Sequence, residues 1–280
     1  MLFPRTFKFI GWVLAIPGIA LGVLFQANDY ILPFLNYKGG RHRQIYKNAW
    51  ENNLTDELAI TLVVIGMLFI GFAKLKNESK HTGELRLRAL YHAFIVSNIA
   101  ASISLMIFFE ACGFSPFPIL QNYLPGVLII FTLWFYYFYL RRKLPPTPFY
   151  FPYAPFNLIG KMLTGEAFLI LIFAMVEIKY KQLGDIAEYV LLAGLLLWMS
   201  AKGKNESPAM ATQRVRALQL SVYIGCGLFI AATWLFYELD YLLVLIVSIV
   251  LIQALYLIIF YSSRRFASRS SLQPISTQAL

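Results

Sequence analysis

The sequence predicts an all-α polytopic membrane protein of about eight transmembrane helices, arranged as two parallel four-helix repeats. Three observations predict it. Of 280 residues, 59% are hydrophobic and only 14% charged, against roughly 45–50% and 25% in an ordinary soluble domain. Several apolar runs reach the roughly 20 residues that cross a bilayer as a helix, and LLVLIVSIVLIQALYLIIF at 242–260 does not alternate as the strands of a membrane barrel do. Finally, AKLKNES at 73–79 returns as AKGKNES at 201–207, each time straight after an apolar run.

Shifting residues 57–110 by 128 places them on 185–238 without a gap, and 15 of the 54 positions are identical. Leu on Leu means little in such a chain. The polar matches carry the argument: Lys74, Lys76, Asn77, Glu78, Ser79, Arg86, Arg88 and Glu110 each meet their own kind. Upstream, FKFIG at 7–11 resembles FNLIG at 156–160. Downstream, FYLRR at 138–142 resembles FYSSRR at 260–265. Each half therefore holds four spans, since a duplicated unit fixes the count for both copies.

In order, the first half (1–143) starts with a span near 8–25, read as a retained helix because it has an internal counterpart. A long excursion at 26–56 follows, with only a short link at 178–184 as its equivalent. Spans near 57–73, 87–109 and 119–140 complete the half. The segment LPPTPFYFPYAP at 144–155 carries five prolines, which rule out a continuous helix, and its aromatics suit a chain lying at the membrane interface. The second half (156–262) holds spans near 157–177, 185–201, 215–237 and 241–261. Residues 263–280 read as a disordered cytoplasmic tail.

The net charge of +10 does not point to nucleic acid, because the charges sit at the ends of apolar runs. Placing both KNES loops, the 141–143 cluster, Lys161 and both termini on one side collects 18 of the 24 Lys and Arg there. By the positive-inside rule that side is cytoplasmic. An even number of spans per half gives both halves the same orientation, related by an axis along the membrane normal.

Three groups of residues could carry function. In the KNES loops, Lys74 and Lys76 (Lys202 and Lys204) end one helix, Asn77 and Glu78 (Asn205 and Glu206) form the turn, and Arg86 and Arg88 (Arg214 and Arg216) open the next. Residues two apart do not share a helix face, so one arginine turns toward headgroups and the other toward the loop glutamate. The bland reading is a capped, charged anchor. The alternatives are a site for a phosphate or anionic lipid headgroup and a docking point for a cytoplasmic protein.

The second group is a ring of acids at the outer mouth: Glu57 and Asp185 open the second span of each half, and Glu110 and Glu238 end the third. Such acids are either interfacial and hydrated or a vestibule that attracts cations. The third group lies within the membrane. Glu166 falls midway along LIGKMLTGEAFLILIFAMVE, five residues after Lys161, and an ionised acid at that depth costs a few kcal/mol unless a cavity or partner receives it. Asn98, among small residues on the third span, can hydrogen-bond between helices.

No P-loop, GxSxG or GxGxxG occurs, and His42, His81 and His92 lack metal-ligand spacing. No cofactor is implied. Cys112 and Cys226 are expected as free thiols. GELRLRALYHAFIVSNI at 83–99, following K-x-K-N-E-S, resembles a loop-and-helix signature of small bacterial inner-membrane proteins. The resemblance implies a bacterial plasma membrane and brings no activity with it. The expected partners are the bilayer, with anionic headgroups or a cytoplasmic protein at the loops. The expected function is small-molecule or ion handling, with a membrane sensor or scaffold as the alternative.

Overall fold

The computed structural model describes residues 2–37, 52–107, 112–113, 115–176, 181–204, 208–236 and 238–270. In chain order they form α1 (Thr6–Asn28), α2 (Thr55–Phe72), α3 (Lys80–Ser104), a short α4 (Phe117–Gln121), α5 (Tyr123–Leu140), α6 (Phe156–Val176), α7 (Lys181–Ser200), α8 (Pro208–Leu235) and α9 (Glu238–Ser270). Two-residue segments β1 (Asn36–Tyr37) and β2 (Asn52–Asn53) pair antiparallel. Among the described residues seven helices are long and apolar enough to cross a membrane, and α7 contributes a shorter apolar stretch, Ile186–Ser200. The segment expected as a tail begins as helix, since α9 runs to Ser270; residues 271–280 lie outside the described residues.

The chain divides into two compact units, Met1–Thr147 with Cys226–Ile249, and Pro148–Gly225 with Val250–Leu280. Both α8 and α9 contribute a segment to each. Sequence alone places the break within 144–155 and assigns each half four helices of its own.

In the first unit α1 lies along α2 at a distance that only small side chains permit. A Cβ on Gly66 would fall 2.6 Å from the backbone nitrogen of Ala15, and one on Gly11 would fall 2.7 Å from the Gly66 carbonyl oxygen. Gly18 stands equally close to Leu62 and Val63, whereas a Cβ on Gly22 would only reach ordinary contact with Ala59, at 3.8 Å. In lipid, where apolar side chains gain little by leaving tails for one another, such close backbone approach is what holds two helices together. Pro17 sits inside α1, a tolerable interruption in a membrane helix with close neighbours. The rest of the core gathers around α5: Val127, Leu128, Phe131 and Phe135 are fully buried, as are Phe72 and Phe94 of α2 and α3.

The end of α2 is closed by the segment just before α1. Phe3 N–H donates to the Phe72 carbonyl at 3.1 Å, and Lys74 N–H donates to the Phe3 carbonyl at 3.0 Å. This satisfies groups that a helix terminus otherwise leaves to water. The rings of Phe3 and Phe7 pack edgewise on Phe69.

The second unit is built by the same means. A Cβ on Gly160 would lie 2.6 Å from the Trp198 nitrogen, and one on Gly194 would lie 2.8 Å from the Thr164 nitrogen, so α6 and α7 also meet backbone to backbone. Phe151 pairs with the chain after α7, donating to the Ser200 carbonyl at 2.8 Å and accepting from Lys202 N–H at 2.8 Å. The extended linker thus does for α7 what the N-terminal residues do for α2.

Replacing Gly66 with Ala should lower stability by about 1–3 kcal/mol, the usual cost of overpacking. Gly126→Ala, at a helical position with no neighbour within 4 Å of a new Cβ, should be neutral or stabilising by up to about 1 kcal/mol. Thermal unfolding of the two variants in detergent separates these outcomes.

Candidate functional site

The K-x-K-N-E-S turn of the first unit is organised by two side chains. Ser79 caps α3, its hydroxyl accepting from Thr82 N–H at 3.2 Å, as small hydroxyl residues do at helix starts. Arg86, two turns further along, reaches back across the end of α2. Its Nε donates to the Gly71 carbonyl at 3.0 Å and its Nη2 to the Ala73 carbonyl at 3.1 Å. The same guanidinium forks onto Glu78, with Nη1 to Oε1 at 2.8 Å and Nη2 to Oε2 at 3.2 Å. Glu78 in turn accepts from Leu75 N–H at 3.0 Å, and the Phe135 ring lies 4.8 Å from the guanidinium carbon. Arg86 is only 1% exposed. The bidentate pair is the strongest arrangement available to these two groups, and it occupies the cation fully.

Arg214 holds the matching position in the second unit. Its Nη1 donates to the Met199 carbonyl at 3.0 Å and its Nη2 to the Ala201 carbonyl at 2.8 Å, with the Tyr256 hydroxyl 3.4 Å from Nη1. Tyr150 and Phe260 stack on it at 5.1 and 4.8 Å. In both units the accepting carbonyls belong to residues 15 and 13 positions before the arginine. Asn205 and Glu206 lie outside the described residues.

The remaining loop cations stand apart from this buried pair of groups. Lys74, Lys76 and Asn77 are exposed, as are Lys202, Lys204 and Arg216. Arg88 pairs with Glu84 and donates to the Pro145 carbonyl at 3.2 Å, while His92, one turn on, is 2.9 Å from the Pro146 carbonyl. Arg86 and Arg88 therefore serve different faces of α3, and within the first unit the buried guanidinium is not presented with the lysines to an outside anion.

A second polar constellation occupies the opposite end of α2. Asp56 and Glu57 lie in its first turn, where carboxylates meet the positive end of the helix dipole. Gln121 of α4 donates from Nε2 to Asp56 Oδ2 at 2.9 Å. The Glu57 carboxyl is turned toward that of Asp56, and the Tyr241 hydroxyl stands among Asp56, Glu57, Gln121 and Thr233. Glu57 is 5% and Tyr241 4% exposed. Glu57 Oε2 has no hydrogen-bond partner among the described residues. Buried polar atoms in that state are rare, because each costs about 1–3 kcal/mol.

Of the other acids expected around the outer mouth, Glu110 lies outside the described residues. Asp185 and Glu238 are placed only as helical backbone of α7 and α9. Within α6, Lys161 and Glu166 are both exposed, and no ion pair among the described residues joins them. The Lys161 ammonium instead lies 5.7 Å from the Trp198 ring and 6.0 Å from that of Tyr261. Asn98 belongs to the other unit, where it is buried and donates to the Phe94 carbonyl one turn back at 2.8 Å. Glu57 was visible in the sequence as an acid opening a span. Asp56, Gln121 and Tyr241 were not, although Gln121 is a polar residue between two prolines in an apolar stretch, PFPILQNYLP.

Comparison with protein-family models, with curated proteins and with solved structures yields no match to this chain. The class of protein rests on the helices themselves. With seven apolar spans among the described residues, this is a multi-pass helical membrane protein.

Replacing Arg86 with Met should destabilise the protein by about 3–5 kcal/mol, since it strands Glu78 and two helix-end carbonyls. Glu78→Gln should cost about 1 kcal/mol, because the carbonyls keep their donor. Denaturation midpoints of both variants in one detergent test the order.

Proposed function

We propose that the chain is an eight-span protein of a bacterial plasma membrane, with both termini in the cytoplasm, that binds and moves a small cationic solute. On this reading it is two parallel four-span repeats. The gapless 128-residue match supports that, as do the paired carbonyls clasped by Arg86 and Arg214 at the same sequence offsets. The excess of Lys and Arg at the KNES loops and both termini supports the orientation, and the 83–99 resemblance supports the compartment.

The observation that carries the functional part is Glu57. A carboxyl 5% exposed, facing a second carboxyl and carrying an unpartnered oxygen, is expensive at a membrane span unless something is received there. Two acids, an amide and a phenol supply hard oxygen acceptors, the chemistry that takes up a cation or an ammonium head. Intramembrane ionisable groups of this kind line solute pathways.

A second reading, a sensor or scaffold, has its own observation. Lys74, Lys76, Lys202 and Lys204 are exposed, and among the described residues no ion pair engages them, so they are available to anionic headgroups or to a cytoplasmic protein.

Thermal unfolding of the protein in lipid nanodiscs, against Na⁺, K⁺, Ca²⁺, small amines and phosphatidylglycerol, tests both. A cation at a hundred times its dissociation constant should add about 2.7 kcal/mol. That gain should vanish in Glu57→Gln and persist in Lys76→Ala/Lys204→Ala. A shift by phosphatidylglycerol alone, lost only in the lysine double variant, would replace solute handling with the headgroup reading.

A further inference from the structure

Beside the Asp56 cluster runs a cleft of about 220 Å³ between α1, α2 and the α4–α5 segment. Its two ends differ in chemistry. Along most of its length the walls are apolar, with Ile19 and Val23 of α1, Ile60 and Val63 of α2, and Ile129 of α5. One end carries Asp56, Gln121, Gln26 and Asn122. None of the lining residues is Lys, Arg or His. The cleft therefore offers an apolar trough that stops at a carboxylate, with no cation to balance it.

Resting on the solute-binding reading above, the geometry points to a specific ligand class for this cleft: a small amphiphile with an ammonium head and an alkyl or aryl body. The head belongs at Asp56, the one carboxylate among the residues that line the cleft. An ammonium brings three donors and no acceptor, and the polar end supplies acceptors: the Asp56 carboxylate and the Gln121 carbonyl oxygen, whose amide nitrogen is already spent on Asp56. The body lies along the trough, where Gly22 leaves room. A Cβ at Gly22 would have only the Ala59 methyl within 4 Å, at 3.8 Å. The volume is below the roughly 300–1,000 Å³ of sites for drug-sized ligands, which limits the body to about one ring or a short chain. An anionic amphiphile is excluded by charge. A bare metal ion would leave the trough without a role.

Three probes with the same body separate head from tail: phenethylammonium, 2-phenylethanol and 3-phenylpropionate. Binding to the full chain in nanodiscs is measured by isothermal titration calorimetry, with empty nanodiscs subtracted for partitioning. The ammonium should bind at least tenfold more tightly than the alcohol, and the carboxylate should not bind. Asp56→Asn should abolish the preference for the ammonium. Gly22→Leu should abolish ammonium binding by filling the trough while leaving every acid in place, so the test survives if Asp56→Asn fails to fold.

Equal binding of ammonium and alcohol, or ammonium binding unchanged in Gly22→Leu, would overturn the assignment. If either occurs while a cation still stabilises the wild type and not Glu57→Gln, the ligand class is wrong and the solute-binding reading stands. If no cation distinguishes Glu57→Gln from wild type, both fall.

Discussion

A guanidinium laid across the end of the helix before it is what allows a charged turn to sit against an apolar bundle. Every helix leaves carbonyls without partners at its last turn, and in a bilayer the usual remedy, water, is scarce at depth. Arg86 and Arg214 supply the donors instead, and the extended residues Phe3 and Phe151 supply a backbone edge. Once the end of α2 is fixed in this way, the start of α3 is fixed with it, because the arginine that closes one helix belongs to the next. The orientation of α3 then sets where α5 can pack, since Phe135 covers the guanidinium.

That constraint also explains a division of labour among the basic residues. A positive charge needed only for topology is served by any lysine in contact with water, and Lys74, Lys76, Lys202 and Lys204 are of this exposed kind. The buried position needs a planar fork able to donate in several directions at once, which lysine cannot provide. The repeated turn and the helix it opens thus hold two kinds of cation that look alike on the page and differ in surroundings.

Much of the architecture was legible because it is written in local patterns. Run length and charge placement located each long helix, although α3 and α8 begin seven residues before the expected spans and α9 runs nine residues past its own, and the 128-residue shift aligned Arg86 with Arg214 before any contact was known. The pairing of Arg86 with Glu78 was also within reach, since turn and helix are adjacent in sequence. Less legible was the cluster at the other end of α2. Asp56, Gln121 and Tyr241 come from helices far apart in sequence, and nothing local says that their ends meet. Glu166 shows the converse. Depth in a span made it conspicuous, yet α6 exposes it alongside large apolar side chains such as Leu169 and Phe173, a surrounding that depth alone does not determine.

The pairing of Phe3 with the residues after α2, and of Phe151 with those after α7, bears on how such a chain is made. A ribosome delivers Phe3 long before Ala73, so the opening segment waits with an unpaired edge until the first helical hairpin is in the membrane. Its partner then comes from its own hairpin. The same happens between Phe151 and Ala201. Each hairpin is sealed by residues that lead directly into it, so neither closure has to wait for the rest of the polypeptide to be synthesised.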